Sequence, residues 1–363
     1  MTEKLEDYHK RGLLYKQSHP KLPLVIWNYT ERVQYESLWD ETTLMCRGLI
    51  TDANGKVVVR PMNKFFNYEE VADKGQMPWD DQSVYVQSKE DGSMLILFYY
   101  AGEWVTATRG SFSSDQSIKG LEILRKRYDL EWFNKSVAYI GEVIYPENRI
   151  VVDHGADEKV VFLTAVPNNA VSEETEIHEL NWATAKAFFH SSGIKEEDIV
   201  HTEQHSLFGE ELIKSLKDMN TKNKEGFVLR FFPSNYRVKV KFEDYIRLHR
   251  IITCVSNVSI WECLKDSKPL DDMLRDVPDE FYNWVKKTEK SISYQHSHIE
   301  REYKSIFSII NSIDEVKDRK TFAYYAKRYK HSAILFRMLD GKPYESVIWD
   351  AIRPKFSKPF FEK

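Results

Sequence analysis

The chain has 363 residues, of which 42% are hydrophobic and 13% aromatic, a composition typical of a folded protein large enough for two or more domains. Its formal net charge of −4 excludes a uniformly basic nucleic-acid-binding protein, so a nucleic-acid partner would need a local basic groove. The three cysteines lack zinc-type or disulfide-type spacing, which indicates a protein of the reducing cytoplasm. No apolar run approaches ~18 residues, so we expect no membrane partner.

Short segments rich in β-forming residues recur between turn residues in the first two thirds of the chain. In chain order they read LPLVIW, RGLITDANGKVVVRP, VYVQS, MLILFYY, EWVTATRG, VAYIGEVIY, RIVVDH, KVVFLTAV, GFVLRFF and YRVKVKF. Asn54 and Gly55 in the second segment predict the tip of a β-hairpin. The spacing of these segments therefore predicts sheets built from many short strands.

Helical patterns lie among these strands and take over completely near the end of the chain. Residues 115–128 and 181–193 have helical spacing, and Gly193 ends the second helix. Beyond about residue 248 the spacing is helical, with Pro and Gly only at the joints. We therefore expect an α+β domain over residues 1–247 and an all-α domain over residues 248–363.

Charged side chains lie within or beside several predicted strands, where a purely structural sequence would avoid them. The segments are MCRGLI with Arg47, RPMNKFFN with Lys64, KEDGS with Lys89, GEVIYPENRIV with Glu142, KEGFVLRF with Glu225, and VKVKF with Lys239 and Lys241. In VKVKF the two lysines alternate with valines, so both ammonium groups point to one face of the strand. Two such groups repel each other unless an anion lies between them. This face is either solvated or binds a polyphosphate.

Lys89 stands between the strand-like segments VYVQS and MLILFYY, followed by Glu90, Asp91 and Gly92. The glycine and the aspartate suit a tight turn between two strands. A turn does not by itself account for the lysine. Lys89 is therefore either a solvated turn residue or an amine held where it can react.

The order of these segments resembles the covalent nucleotidyltransferase superfamily, which includes ATP-dependent DNA and RNA ligases and mRNA-capping guanylyltransferases. KEDGS (89–93) resembles its nucleotidylation motif, TRGS (108–111) the following basic motif, YIGEVIYPENRIV (139–151) the acidic third motif, KEGFVLRF (224–231) the fourth and RVKVKF (237–242) the fifth. KVVFLTAV occupies the place of the adenine-stacking strand. MCRGLI and RPMNKFFN resemble elements of the T-even phage RNA ligases that repair broken tRNA. The resemblance to that group covers residues 24–249 and, more faintly, DRKTFAYYAK at 318–327.

The resemblance implies a nucleotidyltransferase domain of ATP-grasp-like antiparallel sheets with flanking helices, followed by an all-α domain without an OB domain. It implies an ATP-dependent RNA ligase, with Lys89 attacking the α-phosphorus of ATP to form lysyl-AMP. To attack, Lys89 must be neutral. We expect Lys239, Lys241 and Arg109, together with burial beside apolar strands, to disfavour its ammonium form.

The resemblance also implies roles for the other motif residues. Glu142 would hydrogen-bond the ribose of ATP, and Glu225 would bind Mg²⁺ or Mn²⁺, directly or through water. Lys239 and Lys241 would neutralise the α-phosphate in the transition state.

The remaining residues of the expected site bind the nucleotide. Arg47 and Lys64 would hold the β- and γ-phosphates of the leaving group. Phe162 is expected either to stack on adenine or to belong to the core. Further nucleotide-binding residues implied by the motifs are Tyr29, Phe66, Glu90, Gly92, Arg109 and Tyr245. Arg109 departs from the lysine common at its position, although a phosphate accepts either side chain.

Two other functions fit part of this pattern. One is another covalent nucleotidyltransferase, a DNA ligase or a capping guanylyltransferase. Those relatives place an OB domain after the fifth motif, where this chain has helical spacing. The other is a catalytically inert RNA-binding relative, but such a module would need neither a nucleophilic lysine nor the carboxylates around it.

The expected substrate is RNA with 5′-phosphate and 3′-hydroxyl ends, such as a nicked tRNA. An end-healing kinase or phosphatase is a further expected partner. The helical segment at 316–337 is the densest basic part of the chain, with Arg319, Lys320, Lys327, Arg328 and Lys330 among Phe322, Tyr324, Tyr325 and Tyr329. These aromatic residues either stack on unpaired bases or form the core below a solvated charged face.

Overall fold

The computed structural model of the protein describes residues 2–171, 179–205, 207–219, 223–274, 277 and 279–359. The chain divides into two compact units, Met1–Ile246 and Arg247–Lys363. This division lies one residue before the predicted domain boundary. All strands of the described residues belong to the first unit.

The first unit alternates short strands with short helices. The predicted β-rich segment RIVVDH (149–154) contains no strand. The strands are β1 (Leu14–Ser18), β2 (Leu24–Tyr29), β3 (Arg47–Asp52), β4 (Val57–Val59), β5 (Phe66–Asn67), β6 (Ser83–Lys89), β7 (Ser93–Tyr100), β8 (Glu103–Ala107), β9 (Val137–Ile144), β10 (Lys159–Pro167), β11 (Thr202–Gln204), β12 (Gly226–Phe232) and β13 (Arg237–Lys241). The helices up to the unit boundary are α1 (Thr2–Lys10), α2 (Glu31–Tyr35), α3 (Glu41–Met45), α4 (Tyr68–Ala72), α5 (Asp115–Arg127), α6 (Trp182–Ser191), α7 (Gly209–Asp218) and α8 (Glu243–Cys254), the last of which crosses it.

The two predicted helices of the first unit are present, and polar side chains cap their first turns. Ser114 accepts a hydrogen bond from the amide of Ser117 at the start of α5, and Asn181 accepts one from Thr184 at the start of α6. Gly193 follows α6 with φ 71°, which is the left-handed conformation that ends a helix. Both predictions are confirmed.

The strands form three sheets, with the orders β1-β2-β3-β4, β10-β9-β7-β8 and β11-β6-β12-β13-β5. Neighbouring named strands pair antiparallel except β13 and β5, which pair in parallel. The hairpin predicted at Asn54 and Gly55 joins β3 to β4, and Gly55 has φ 78°. The antiparallel sheets with flanking helices agree with the predicted α+β fold.

The second sheet is buried on both faces. On one face Leu95 and Leu97 of β7 pack with residues of α5 and α6. On the other face Met94, Ile96 and Phe98 pack with residues of the first sheet. Because most strand positions are buried here, this sheet lacks the alternation that distinguishes a core face from a solvated one.

The third sheet has one apolar face and one polar face. Val238 and Val240 of β13 are buried in a cluster with residues of β6, β12 and α7. Arg237, Lys239 and Lys241 alternate with them and therefore point to the opposite face. The alternation predicted for VKVKF is confirmed, and it aims the lysines away from the core.

The second unit is helical throughout its described residues. Its helices beyond α8 are α9 (Asn257–Lys265), α10 (Asp271–Leu274), α11 (Asp279–Asn311), α12 (Arg319–Ala326), α13 (Ser332–Leu339) and α14 (Glu345–Ala351). Phe322 of α12 is 1% exposed in the core that α11 to α14 share, whereas Tyr324 is 64% exposed. Phe322 therefore belongs to the core, and Tyr324 lies at the surface. None of the helices in the described ranges is long and apolar enough to span a membrane.

Candidate functional site

A pocket of about 700 Å³ lies where the three sheets of the first unit meet, and we call it the central pocket. Its volume is typical of a small-molecule site. The predicted site residues that line it are Arg47, Lys89, Glu90, Gly92, Arg109, Glu142 and Lys239. Segments far apart in sequence therefore converge on one cavity.

The pairing of three strands brings Lys89, Glu225 and Lys241 together. Gly226 begins β12 and pairs with Lys89 on one side and Lys241 on the other. Glu225 precedes this glycine, so its Oε2 accepts a hydrogen bond from Lys89 Nζ at 2.6 Å and its Oε1 contacts Lys241 Nζ at 2.7 Å. Gly226 has φ 141°, and a Cβ there would lie 2.2 Å from the carbonyl oxygen of Val240. A glycine is therefore required beside this ion triad.

The Glu225 carboxylate is the main electrostatic feature next to Lys89. Burial by itself would raise the pKa of Glu225, but the ammonium groups of Lys89 and Lys241 hold that pKa below its ordinary value. The prediction that Lys239, Lys241, Arg109 and burial set the state of Lys89 left out this carboxylate. Because Lys89 donates a hydrogen bond to Glu225, its amine must lose a proton before its lone pair can attack.

Arg47 and Lys239 line the central pocket without an ion pair among the described residues. Both cations lie over the ring of Phe65, at 5.6 and 4.9 Å from its centroid. Arg47 Nη1 also contacts Met94 Sδ at 2.9 Å. Burial, and then the neighbouring cations, lower the pKa of Lys239 well below its ordinary value. Partly buried cations without counterions favour the binding of an anion.

Lys64 lies in a cage of aromatic rings beside the central pocket. Its Nζ is 5.8, 5.4 and 5.3 Å from the ring centroids of Tyr29, Trp39 and Phe66. Burial lowers the pKa of Lys64. The hydroxyl of Tyr29 accepts a hydrogen bond from Arg109 Nη1 at 3.2 Å, which connects the cage to the central pocket. Lys64 and Phe66 themselves line a second cavity, the side pocket.

Glu142 is a half-buried carboxyl group on the wall of the central pocket. It belongs to β9 and pairs with Met94 on β7. Burial raises the pKa of Glu142 to about 7, although the nearby charges of Lys89 and Arg47 oppose that rise. Near neutral pH this group can therefore exist in either protonation state, and both states can hydrogen-bond a hydroxyl group.

Asp91 is a buried residue of the site that the sequence analysis treated only as a turn former. Its Oδ2 accepts hydrogen bonds from the amides of Val151 and Val152 at 2.8 and 2.7 Å, and its Oδ1 from the Tyr245 hydroxyl at 2.7 Å. The ring of Tyr245 lies 4.9 Å from Lys241 Nζ. Asp91 and Tyr245 thus fix the turn after Lys89 and support Lys241. Tyr245 does not line the central pocket.

Gly92, implied by the motifs as a nucleotide-binding residue, lines the central pocket. A Cβ at this position would lie 2.5 Å from the carbonyl oxygen of Val143 and 3.1 Å from Cγ of Glu142, so the approach of β9 also requires the glycine. Neighbouring Glu90 lines the central pocket, where its Oε1 accepts a hydrogen bond from Ser88 Oγ at 2.7 Å.

Phe162 belongs to the core, so the prediction that it stacks on adenine is wrong. It is 1% exposed and packs against Tyr139 and Phe189, with ring centroids 6.1 and 5.6 Å away. Leu163, the next residue of β10, lines the central pocket instead. The pairing of β10 with β9 shifts register between Phe162 and Thr164.

Glu225 is the residue expected to bind Mg²⁺, and both of its carboxylate oxygens contact lysines. In the parts of the chain that the structure describes, no group of three or more His, Cys, Asp or Glu side chains could hold a metal ion. Mg²⁺ is often bound by one or two carboxylates together with water and substrate phosphates. A divalent ion at Glu225 would therefore depend on water and on the phosphates of the nucleotide for its other ligands.

Comparison with known proteins assigns the chain to a family. The model of the RNA ligase family matches residues 45–245, more than half of the chain. The RNA ligase of Rhodothermus phage RM378 is 26% identical over 403 aligned residues, which cover 93% of this chain and 89% of that protein. An archaeal ATP-dependent RNA ligase structure aligns with a TM-score of 0.49 and 14% identity over 95% of this chain and 96% of that one. The structure of Naegleria gruberi RNA ligase with PPi aligns with a TM-score of 0.40 and 12% identity over 52% and 57%. The chain belongs to the T4-type RNA ligase family.

Proposed function

We propose that this RNA ligase is ATP-dependent and joins 3′-hydroxyl and 5′-phosphate ends of RNA through a lysyl-AMP intermediate. The observation that carries the proposal is the position of Lys89. Its side chain lines the central pocket, and its amine is hydrogen-bonded to one buried carboxylate, that of Glu225. Arg47 and Lys239 line the same pocket and have no ion pair among the described residues. Buried cations without an anionic partner are energetically unfavourable, so such surroundings are not expected for a lysine with a purely structural role.

The first step forms a bond between Lys89 Nζ and the α-phosphorus of ATP and breaks the bond from that phosphorus to the oxygen of pyrophosphate. The amine loses its extra proton, and the Glu225 carboxylate at 2.6 Å is the acceptor already in contact with it. Lys241 shares this carboxylate and would take it over when Lys89 turns to the phosphorus. Glu225 thus orients both lysines.

The charges around the pocket would divide between the two parts of the nucleotide. Lys239 and Lys241 extend from the strand that flanks Glu225, so they would neutralise the α-phosphate. Arg47 lies over the same Phe65 ring as Lys239, and Lys64 lies in the neighbouring aromatic cage, so these two would hold the leaving pyrophosphate.

Other residues would position the rest of ATP. Glu142 would hydrogen-bond a ribose hydroxyl, and the Tyr29–Arg109 pair would border the phosphates. A bound divalent ion, Mg²⁺ or Mn²⁺, would supply charge neutralisation on the phosphates of the nucleotide. With Phe162 in the core, Leu163, which lines the central pocket, would contact the base.

In the later steps the 5′-phosphate of RNA would displace Lys89 from AMP, and the 3′-hydroxyl would then displace AMP to form the phosphodiester. We propose that the helical unit selects a folded RNA such as a nicked tRNA. Arg328 lies 4.7 Å from the ring centroid of exposed Tyr324. Such a cation and an aromatic ring would bind a phosphate and a base of unpaired RNA. An end-healing kinase or phosphatase would supply the required ends.

The proposal is tested by incubating the protein with labelled ATP and, separately, labelled GTP. A covalent adduct with AMP alone, followed by sealing of single-stranded RNA but not of nicked DNA, is the expected result. An adduct with GMP would indicate a capping enzyme. The absence of any adduct would indicate an inert RNA-binding relative and would contradict the proposal.

A further inference from the structure

The side pocket is a cavity of about 920 Å³ within the first unit, adjacent to the central pocket. Phe65 lines both cavities. The segment that carries Lys64 and Phe66 therefore forms a wall between the place proposed for ATP and a second space. That space is as large as many small-molecule sites, and the proposed chemistry uses only Lys64 of its lining.

The charge of the side pocket is positive in a protein whose net charge is −4. One of its arginines, Arg237, is compensated, because its Nη1 donates to Glu179 Oε2 at 2.7 Å. Arg60, Lys64 and Lys74 line the same cavity and have no ion pair in the described part of the chain. Glu70 is the other carboxylate of the lining, which therefore carries four cationic and two anionic side chains. Burial lowers the pKa of Arg60, and the nearby charge of another carboxylate only partly offsets that effect. These cations are available to an anion.

One aromatic side chain of the side pocket has a free face. Tyr236 lies in the turn between β12 and β13, is 36% exposed and makes no contact with another ring among the described residues. In contrast, Trp39 and Phe66 already contact Lys64 and each other. Asn63 and Gln76 add side-chain amides to the lining. An aromatic face, amide groups and free cations are together the features that bind a nucleotide of single-stranded RNA.

We infer that the side pocket binds one unpaired nucleotide of the RNA substrate next to the reacting end, with its base on Tyr236 and its phosphate between Arg60 and Lys74. This inference rests on the proposed function and adds to it a place for RNA within the first unit. Pyrophosphate leaving the central pocket could also meet these cations. It would not use the Tyr236 ring or the amides, however, and it would fill little of the cavity.

The test uses the full-length protein and variants outside the proposed ATP site. Tyr236→Ala removes the stacking face, Tyr236→Phe retains it, and Arg60→Ala removes a cation. Trp132→Ala is the matched control, since Trp132 is an aromatic residue of the same unit with 72% exposure that lines neither pocket. Each variant is checked by thermal unfolding and then assayed for AMP adduct formation and for the anisotropy of labelled single-stranded RNA.

We expect Tyr236→Ala to weaken RNA binding at least ~5-fold, the lower end of the effect of one base–aromatic stack. Tyr236→Phe and Trp132→Ala should bind within about twofold of the wild type, since stacking is retained in one and untouched in the other. Arg60→Ala should lower the salt dependence of RNA binding by about one phosphate contact. All four should form the AMP adduct at the wild-type rate.

Two results would overturn the inference. One is wild-type RNA affinity in both Tyr236→Ala and Arg60→Ala. The other is slower pyrophosphate-driven release of AMP from the adduct in Arg60→Ala with unchanged RNA binding, which would make the cavity a leaving-group site. A wild-type protein that forms no adduct would overturn the proposed function instead, so the two failures are distinguishable.

Discussion

Replacing Glu225 by glutamine keeps the size of the side chain but removes the charge that Lys89 and Lys241 share. The carboxylate is 4% exposed, and its two lysine contacts are 2.6 and 2.7 Å long. Removing one partner of a buried ion pair costs ~3–5 kcal/mol. The lysine side chains are 19% and 24% exposed and can regain part of their hydration. We therefore expect Glu225→Gln to lose about 2–3 kcal/mol of unfolding free energy.

For a unit of this size the loss corresponds to a decrease in melting temperature of roughly 5–10 °C. Urea unfolding at neutral pH measures the loss of unfolding free energy directly. The control is Glu69→Gln, because Glu69 pairs with Lys217 at the same type of distance, 2.7 Å, but with 59% and 39% of the two side chains exposed. That variant should lose no more than ~1 kcal/mol. Equal losses in the two variants would refute the assignment of a buried ion triad.

The pH dependence of this difference has a definite sign. The folded-state pKa of Glu225 is depressed, so its stabilising contribution is complete above its unfolded pKa, near the ordinary value of 4.5, and is lost as pH falls through the folded pKa. The stability difference between wild type and Glu225→Gln should be constant from pH 8 to about 6 and shrink below pH 4.5. A difference that grows on acidification would contradict the ion triad. Adduct formation should fall at least ~10²-fold in the same variant.

Three further predictions concern separate parts of the protein. Arg47→Ala and Lys64→Ala should impair adduct formation from ATP more than sealing of pre-adenylylated RNA, because pyrophosphate has left before sealing; equal loss of both activities would contradict the leaving-group role. Glu142 has a folded-state pKa raised to about 7, so wild-type stability should fall as pH rises from about 5 to 7, and Glu142→Gln should gain on the order of 1–3 kcal/mol relative to it over that range in urea unfolding. A pH-independent difference would contradict this assignment. Tyr324→Ala should weaken binding of a nicked tRNA several-fold in anisotropy measurements without slowing adduct formation, and a slower adduct would show that the helical unit affects the chemistry.

Sequence alone predicts the elements whose patterns are local. The alternation in β13 predicts that Lys239 and Lys241 point away from the core, and the structure buries Val238 and Val240 accordingly. The start of α6 follows from the capping side chain of Asn181, and its end follows from the left-handed conformation of Gly193. These features depend on residues close together in the chain.

Other features depend on contacts between distant segments and could not be predicted. Phe162 and Leu163 lie on a strand that is buried on both faces, so alternation does not show which of them faces the pocket. The contact of Glu225 with Lys89 arises from strand pairing across more than one hundred residues, whereas Lys241 lies on the next strand of the chain. Asp91 binds the amides of residues some sixty positions later, although its place before a glycine in a turn was a usable signal.

The central claim, that Lys89 is the nucleophile, is tested most directly by intact mass measurement after incubation with ATP, Mg²⁺ and pyrophosphatase, followed by peptide mapping. We predict a mass increase of one AMP group on the peptide that contains Lys89. Lys89→Ala should show no increase but should still seal RNA with a pre-adenylylated 5′ end. An adduct on another residue, or an undiminished adduct in Lys89→Ala, would contradict the proposed mechanism.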